Sequence, residues 1–413
     1  MNHRLKKILF GVILLQVALL FAGDQLTVKR DRAVLREGPG AFFPALAELS
    51  EGAQFELLEE SEGWYKIQIN DMTGYVSSKV TEGKAKRQDI FAQMGQQKPV
   101  TEVAQSGVSA AVKGFANKFT QRLNGDQEFL ESIYSYHINP AAYQRFKQQT
   151  YQNRNLRRIH RIADLPPVER QTTFTFSEEG VGLAVAAKIS QLGIYQNVPA
   201  QNYVNYVGNL VAEASNAYDV PFKFFILDQA GVNAYACPGG VIFVTKGALQ
   251  AMQNEAELAC FLGHEITHVV QRHGMKEMEK RKVMIKADNA FAELDQETQP
   301  DSATMATTAD LENIAMESYE NIFAGRLQKY EDEADRYGLI YATRAGYNPG
   351  AMLHLLGRLS TGQTDSGNDH YTPAQNAARQ LKLQQWLAEE HFSTSSLVEF
   401  SDRFQRETRS LQH

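Results

Sequence analysis

Residues 254–274 read Asn-Glu-Ala-Glu-Leu-Ala-Cys-Phe-Leu-Gly-His-Glu-Ile-Thr-His-Val-Val-Gln-Arg-His-Gly, and their spacing predicts one helix that carries a metal site. Asn254 is a capping residue, Glu257 stands where a capping box needs its acid, and Gly274 is suited to stop the helix. His264 and His268 are one turn apart, so both imidazoles leave the same face and reach a single ion. With Glu265 beside the first histidine, this is the His-Glu-x-x-His pattern, in which two histidines hold zinc and the glutamate is general base for a water. The bland alternative is an amphipathic core helix with two hydrogen-bonded histidines. The capping box, which the metal motif does not require, supports helix and site together. His273 lies further along; at about 100° per residue it points away from the metal face and reads as structural. A metzincin needs Gly at 271 and His at 274, where this chain has Gln271 and Gly274, so the third ligand comes from elsewhere.

Outward from this helix, 413 residues allow two or three domains, and 43% hydrophobic with 22% charged residues is ordinary globular composition. A net charge of -6 and a pI near 6.0 leave no basic stripe for phosphates, so nucleic acid is not an expected partner. Residues 1–23 combine Arg4, Lys6 and Lys7 with an apolar run from Ile8 to Ala22. That is the pattern of a signal peptide, or of an N-terminal anchor if it is retained. Periplasm or cell envelope is the expected location, with peripheral membrane association. Cys237 and Cys260 are too few for a disulfide framework. Two buried small hydrophobes is the favoured reading; a disulfide or regulatory thiol near the metal is the sharper one.

Residues 24–82 alternate short strands with Gly- and Asn-containing turns, which predicts a small β-barrel. Its run Ala33 to Pro39, then Glu51-Gly52-Ala53, Gly63-Trp64-Tyr65-Lys66-Ile67 and Gly74-Tyr75-Val76 resembles the bacterial SH3-type domain. That resemblance implies binding of cell-wall or envelope proteins, with Trp64 and Tyr75 either lining a groove or packing in the core. Residues 83–173 read as a polar linker to about 108, then a helical region. Its Arg154, Arg157, Arg158 and Arg161 read as a solvated face. The catalytic unit is expected over 174–413, with a strand at 222–227, a turn at Pro238-Gly239-Gly240 and a strand at Val241–Thr245. Residues 294–309, rich in Asp, Gln, Thr and Ser, read as a loop or lid interrupting it.

Asn233-Ala234, Pro238-Gly239-Gly240, His264-Glu265-x-x-His268 with His273, and Glu331-x-x-Ala334-Asp335 together resemble peptidase family M48. This family includes the HtpX-type membrane proteases, the CAAX prenyl proteases and secreted periplasmic metalloproteases. The resemblance implies that His264, His268 and Glu331 bind one Zn2+ per chain and that Glu265 is the base. Residue spacing agrees: Glu331 and Asp335 share a helix face, Asp335 is placed to hold a ligand histidine, and Glu333 lies about 200° round the helix from Glu331. The family's His-Pro pair is split here, as His370-Tyr-Thr-Pro373 leading to Arg379, so His370 is a catalytic candidate with an inexact match.

The fold expected is α+β: an SH3-like barrel, a helical linker, and a mainly helical gluzincin-like catalytic domain with a small antiparallel sheet. The function expected is a zinc metalloendopeptidase acting on unfolded or misassembled envelope proteins. Substrate is expected to add as a strand along Val241–Thr245, with Asn233, Gly239, Gly240, Val241 and Phe243 as binding residues. Two readings stay open beside it: a chaperone or assembly factor with a gated zinc site, and a cell-wall-binding scaffold.

Overall fold

The structure, a computed structural model, describes residues 24–30, 32–61, 63–82, 110–168, 176–274, 276, 315–322, 327–362, 371–392 and 396–412. The expected signal segment (1–23), the polar linker (83–108) and the 294–309 loop lie outside the described residues.

Six strands open the chain: β1 (Gln25–Thr27), β2 (Arg32–Arg36), β3 (Ala45–Ser50), β4 (Gln54–Ser61), β5 (Trp64–Ile69) and β6 (Met72–Ser77). They form one antiparallel sheet in the order β1-β4-β5-β6-β2-β3. Alternating residues such as Leu35, Leu49, Phe55, Ile67 and Val76 face a shared apolar core, as period-two patterning requires.

Helices α1 (Ala110–Arg122), α2 (Gln127–Ser135), α3 (Pro140–Thr150) and the single turn α4 (Leu156–Ile159) follow, then α5 (Phe176–Ile189) and α6 (Val198–Glu213). The second sheet is β7 (Lys223–Leu227), β8 (Ala234–Ala236) and β9 (Val241–Thr245). Its order is β7-β9-β8, with β7 parallel to β9 and β8 antiparallel to it. It is therefore mixed rather than wholly antiparallel, because β9 returns beside β7 and leaves β8 at the end. Both faces are buried. Phe224, Ile226, Ile242 and Val244 pack in one core with α6 and α8 residues. Phe225, Val241 and Phe243 pack in another with residues of α1, α2 and α5.

Further helices are α7 (Lys246–Ala251), α8 (Glu255–Val270), α9 (Gln328–Arg344), α10 (Gly350–Ser360), α11 (Pro373–Glu390) and α12 (Ser401–Thr408). The Asn254 side chain caps α8 by accepting from Glu257 N at 2.9 Å. The Glu257 carboxylate reaches back to Gln253 N at 2.8 Å, one residue earlier than a regular capping box. The stop differs from expectation: α8 ends at Val270, and Arg272 turns the chain at φ 55° before Gly274 is reached.

The SH3-type module is docked on the second domain. Trp64 is buried and stands edge-on to Tyr218, ring centroids 6.0 Å apart. The Tyr218 hydroxyl is 3.1 Å from both Ser77 Oγ and Ser78 Oγ. Lys79 Nζ donates to Asp219 Oδ1 and Asn216 O, each at 2.6 Å, and Phe42 meets Tyr143 edge to face at 4.4 Å. Trp64 thus serves this seam.

Candidate metal centre

Only a close helix crossing brings the site together. A Cβ on Gly263 of α8 would lie 2.5 Å from Gly338 O of α9, and one on Gly338 would lie 2.5 Å from His264 N. The missing side chains let the two backbones touch, and the first two turns of α9 then lie against the histidine face of α8. His264, His268 and Glu331, all buried, bring one ligand atom each to within 4.8 Å of one another. His264 Nε2 stands 3.0 Å from His268 Nε2. Glu331 lies 3.3 Å from the first and 3.6 Å from the second.

His264 and Glu331 are braced from behind. Asp335 Oδ1 is 2.9 Å from His264 Nδ1, so the acceptor carboxylate fixes a proton on Nδ1 and frees Nε2 for the cluster. Arg379 of α11 clamps Asp335 through Nε at 2.9 Å and a second nitrogen at 2.5 Å. The Tyr371 hydroxyl donates to Glu331 Oε2. Asp335 is 5% exposed and committed to His264 and Arg379.

Burial alone would lower the His264 pKa, but hydrogen bonds and charges from Asp335 and Glu331 overcome it and carry it up to about 9. Burial pushes Glu331 up, and the hydrogen bond and charge of His264 with the Tyr371 hydroxyl bring it down to about 2. Asp335 is likewise raised by burial and driven well below the usual carboxylate range by Arg379 and His264. With both imidazoles neutral, as metal ligation requires, the carboxylates of Glu331 and Asp335 outweigh the Arg379 guanidinium and favour a cation between the rings. Two ring nitrogens aimed at each other beside a carboxylate are a donor set suited to a divalent transition metal, and zinc fits it.

The cluster opens on a cleft. Glu265, 8% exposed, lines it beside the three ligand candidates. Val232, Asn233 and β8 form one wall, and Phe261 with Met352, Leu355, Leu356 and Leu359 form an apolar one. Phe261 is the one residue of α8 that is not fully buried, one turn before Glu265. Asn233 lies in the cleft. Gly239, Gly240, Val241 and Phe243 do not line it. β9 is hydrogen-bonded on both edges, to β7 and β8, and its five residues are buried, so no further strand adds along Val241–Thr245. Gly239 and Gly240 pack instead against Glu179 and Val220. His370 lies outside the described residues.

Neither cysteine is in a disulfide. Cys260 sits in the α8 core and Cys237 in the core on the other face of the sheet. Burial pushes the Cys260 thiol far up, well away from reactivity. Tyr371, the Gly263–Gly338 crossing and the contacts of His273 and Glu333 escaped the sequence reading. A glycine one residue before the first ligand was the available signal for the crossing.

Two histidines and a glutamate on crossing helices, with a second glutamate in the same cleft, define a metallopeptidase domain. Residues 199–396 match the model of Peptidase family M48, and residues 31–82 match that of the Bacterial SH3 domain. The domain that carries the metal centre belongs to family M48, and an SH3-type domain precedes it. The chain is 31% identical over 172 residues to the putative beta-barrel assembly-enhancing protease of Vibrio cholerae, covering 40% of this chain and 34% of that protein. It is 31% identical over 162 residues to the beta-barrel assembly-enhancing protease of Escherichia coli, covering 38% and 32%. With the mitochondrial metalloendopeptidase OMA1 of Schizosaccharomyces pombe it shares 27% over 194 residues, covering 46% and 54%. The chain thus spans about a third of the bacterial relatives' length and about half of the yeast one's.

Proposed function

We propose that this chain is a zinc-dependent endopeptidase of the cell envelope that hydrolyses unfolded or misassembled polypeptides. The observation that carries the reading is the His264–His268–Glu331 cluster with Glu265 on the wall of the same cleft. A bound zinc ion supplies Lewis acidity there, polarising the scissile carbonyl and acidifying water. Glu265 takes the proton of the attacking water and returns it to the leaving amine. Asp335, clamped by Arg379, keeps the His264 ring in its orientation, and Tyr371 keeps Glu331 in its own. The apolar wall of Phe261, Met352 and Leu355 excludes water and suits the apolar side chains that unfolded chains expose. We take β8, which lines the cleft, rather than β9, as the strand beside which an extended substrate lies.

The envelope setting rests on the signal-like 1–23 segment and on the names of the bacterial relatives, which are beta-barrel assembly-enhancing proteases. No helix among the described residues is long and apolar enough to cross a membrane. A cell-wall or envelope partner of the SH3-type module belongs to the same proposal; with Trp64 at the seam, Tyr75 is the aromatic left for it. Cleavage of unfolded casein by the zinc-loaded chain, lost in Glu265→Gln with zinc and helicity retained, is the expected result. Undiminished cleavage by Glu265→Gln would overturn the assignment of the base, and no cleavage by the wild type would favour the chaperone reading.

A further inference from the structure

On the reading of His264, His268 and Glu331 as metal ligands, the geometry points to His273 as the positioning residue for His268, with Glu333 holding His273 in turn. Extrapolated along a continuous helix, His273 turns away from the metal face. The chain does something else. After the cap at Gln271, Arg272 adopts φ 55°, a left-handed conformation that a non-glycine residue keeps only where its surroundings enforce it. The Arg272 guanidinium is tied to Glu178 at 2.7 Å. The turn folds His273 back beneath His268.

His273 is 0% exposed, and its Nδ1 is 2.9 Å from His268 Nδ1. Its ring lies flat on Tyr330, centroids 4.5 Å apart and 20° between planes. Its second nitrogen, Nε2, is 3.6 Å from Glu333 Oε2. One proton arrangement satisfies this row. Glu333 draws a proton to His273 Nε2, so His273 Nδ1 is an acceptor; His268 donates from Nδ1, and its Nε2 lone pair points to His264 and Glu331. The two ligand histidines are thus braced by different chemistry, His264 by a carboxylate and His268 by a neutral imidazole. Such partners fix the tautomer and orientation of a ligand histidine, and their loss typically costs about 10–100-fold in metal affinity.

Zinc affinity of the purified full chain, measured by competition with a chromogenic chelator, tests this without reference to catalysis. His273→Ala is expected to bind zinc about 10–100-fold more weakly. His273→Gln, whose amide oxygen accepts from His268 Nδ1, is expected to regain most of that loss, and Glu333→Ala to weaken binding by a few fold. Wild-type affinity in a folded His273→Ala overturns the role, as does equal weakness of the Gln and Ala variants, which would mean that only volume matters. Should His273→Ala fail to fold, the more exposed Glu333 decides: wild-type affinity in Glu333→Ala overturns the relay. Affinities in the expected order in a protein that cleaves no peptide would support His273 and overturn only the peptidase reading.

Discussion

The SH3-type module and the peptidase domain spend their interiors differently. The module buries an apolar core of Leu35, Leu49, Phe55, Ile67 and Val76, and its buried Lys79 and Trp64 are used at the seam. The peptidase domain buries His264, His268, His273, Glu331, Asp335 and Arg379, none more than 7% exposed. Burying so many ionisable groups is costly unless each is paired, and here each leans on the next. Stability in the first domain is a matter of packing; in the second it is tied to the electrostatic order of the site.

Removing one paired charge should therefore have the largest effect. Asp335→Ala strands Arg379 in the interior, and about 3–5 kcal/mol of stability should be lost in urea unfolding, together with zinc affinity. Ile67→Ala, at a position 0% exposed, should cost the module roughly 2–5 kcal/mol while zinc stoichiometry stays unchanged. If Ile67→Ala also released the metal, the two interiors would not be separable.

The seam comes next. Lys79 and Asp219 are 10% and 15% exposed, and a double-mutant cycle of Lys79→Ala and Asp219→Ala should give a coupling of about 0.5–3 kcal/mol. No coupling would mean that the aromatic contact of Trp64 and Tyr218 alone holds the module in place.

The smallest effect belongs to Lys223, which donates to Ile133 O. Burial, with help from Arg36 and Lys113, lowers its pKa to about 8 from 10.5, while Glu179 acts in the opposite sense. Between those values the unfolded chain binds more protons than the native one, so stability rises with pH. Wild type should gain on Lys223→Met as pH climbs from about 8 to 10.5, by an amount on the order of 1 kcal/mol after discounting for solvent access. A flat difference between the two melting curves would contradict the shift.

What was legible in the sequence follows the range of each interaction. The His264–His268 pair and the Glu331–Asp335 pair are one-turn relations, which helical periodicity fixes without tertiary knowledge. The order of SH3-type motifs was also local and readable. The role of β9 was misread because strand composition does not reveal whether an edge is paired. His273 was misplaced because extrapolation assumed that the helix continued, whereas a left-handed Arg272 breaks it. Arg154 was read as solvated with its neighbours, yet it donates to Gly346 O at 2.6 Å and Ser396 O at 2.9 Å. Its partners lie some two hundred residues on, where no spacing rule reaches.

The central claim is that crossing helices α8 and α9 build one metal site from His264, His268 and Glu331. Elemental analysis of the purified chain beside Glu331→Ala tests it most directly. One zinc per wild-type chain, absent from a Glu331→Ala variant of native helicity, is the predicted result; a wild type without zinc, or a Glu331→Ala that retains it fully, would contradict the account.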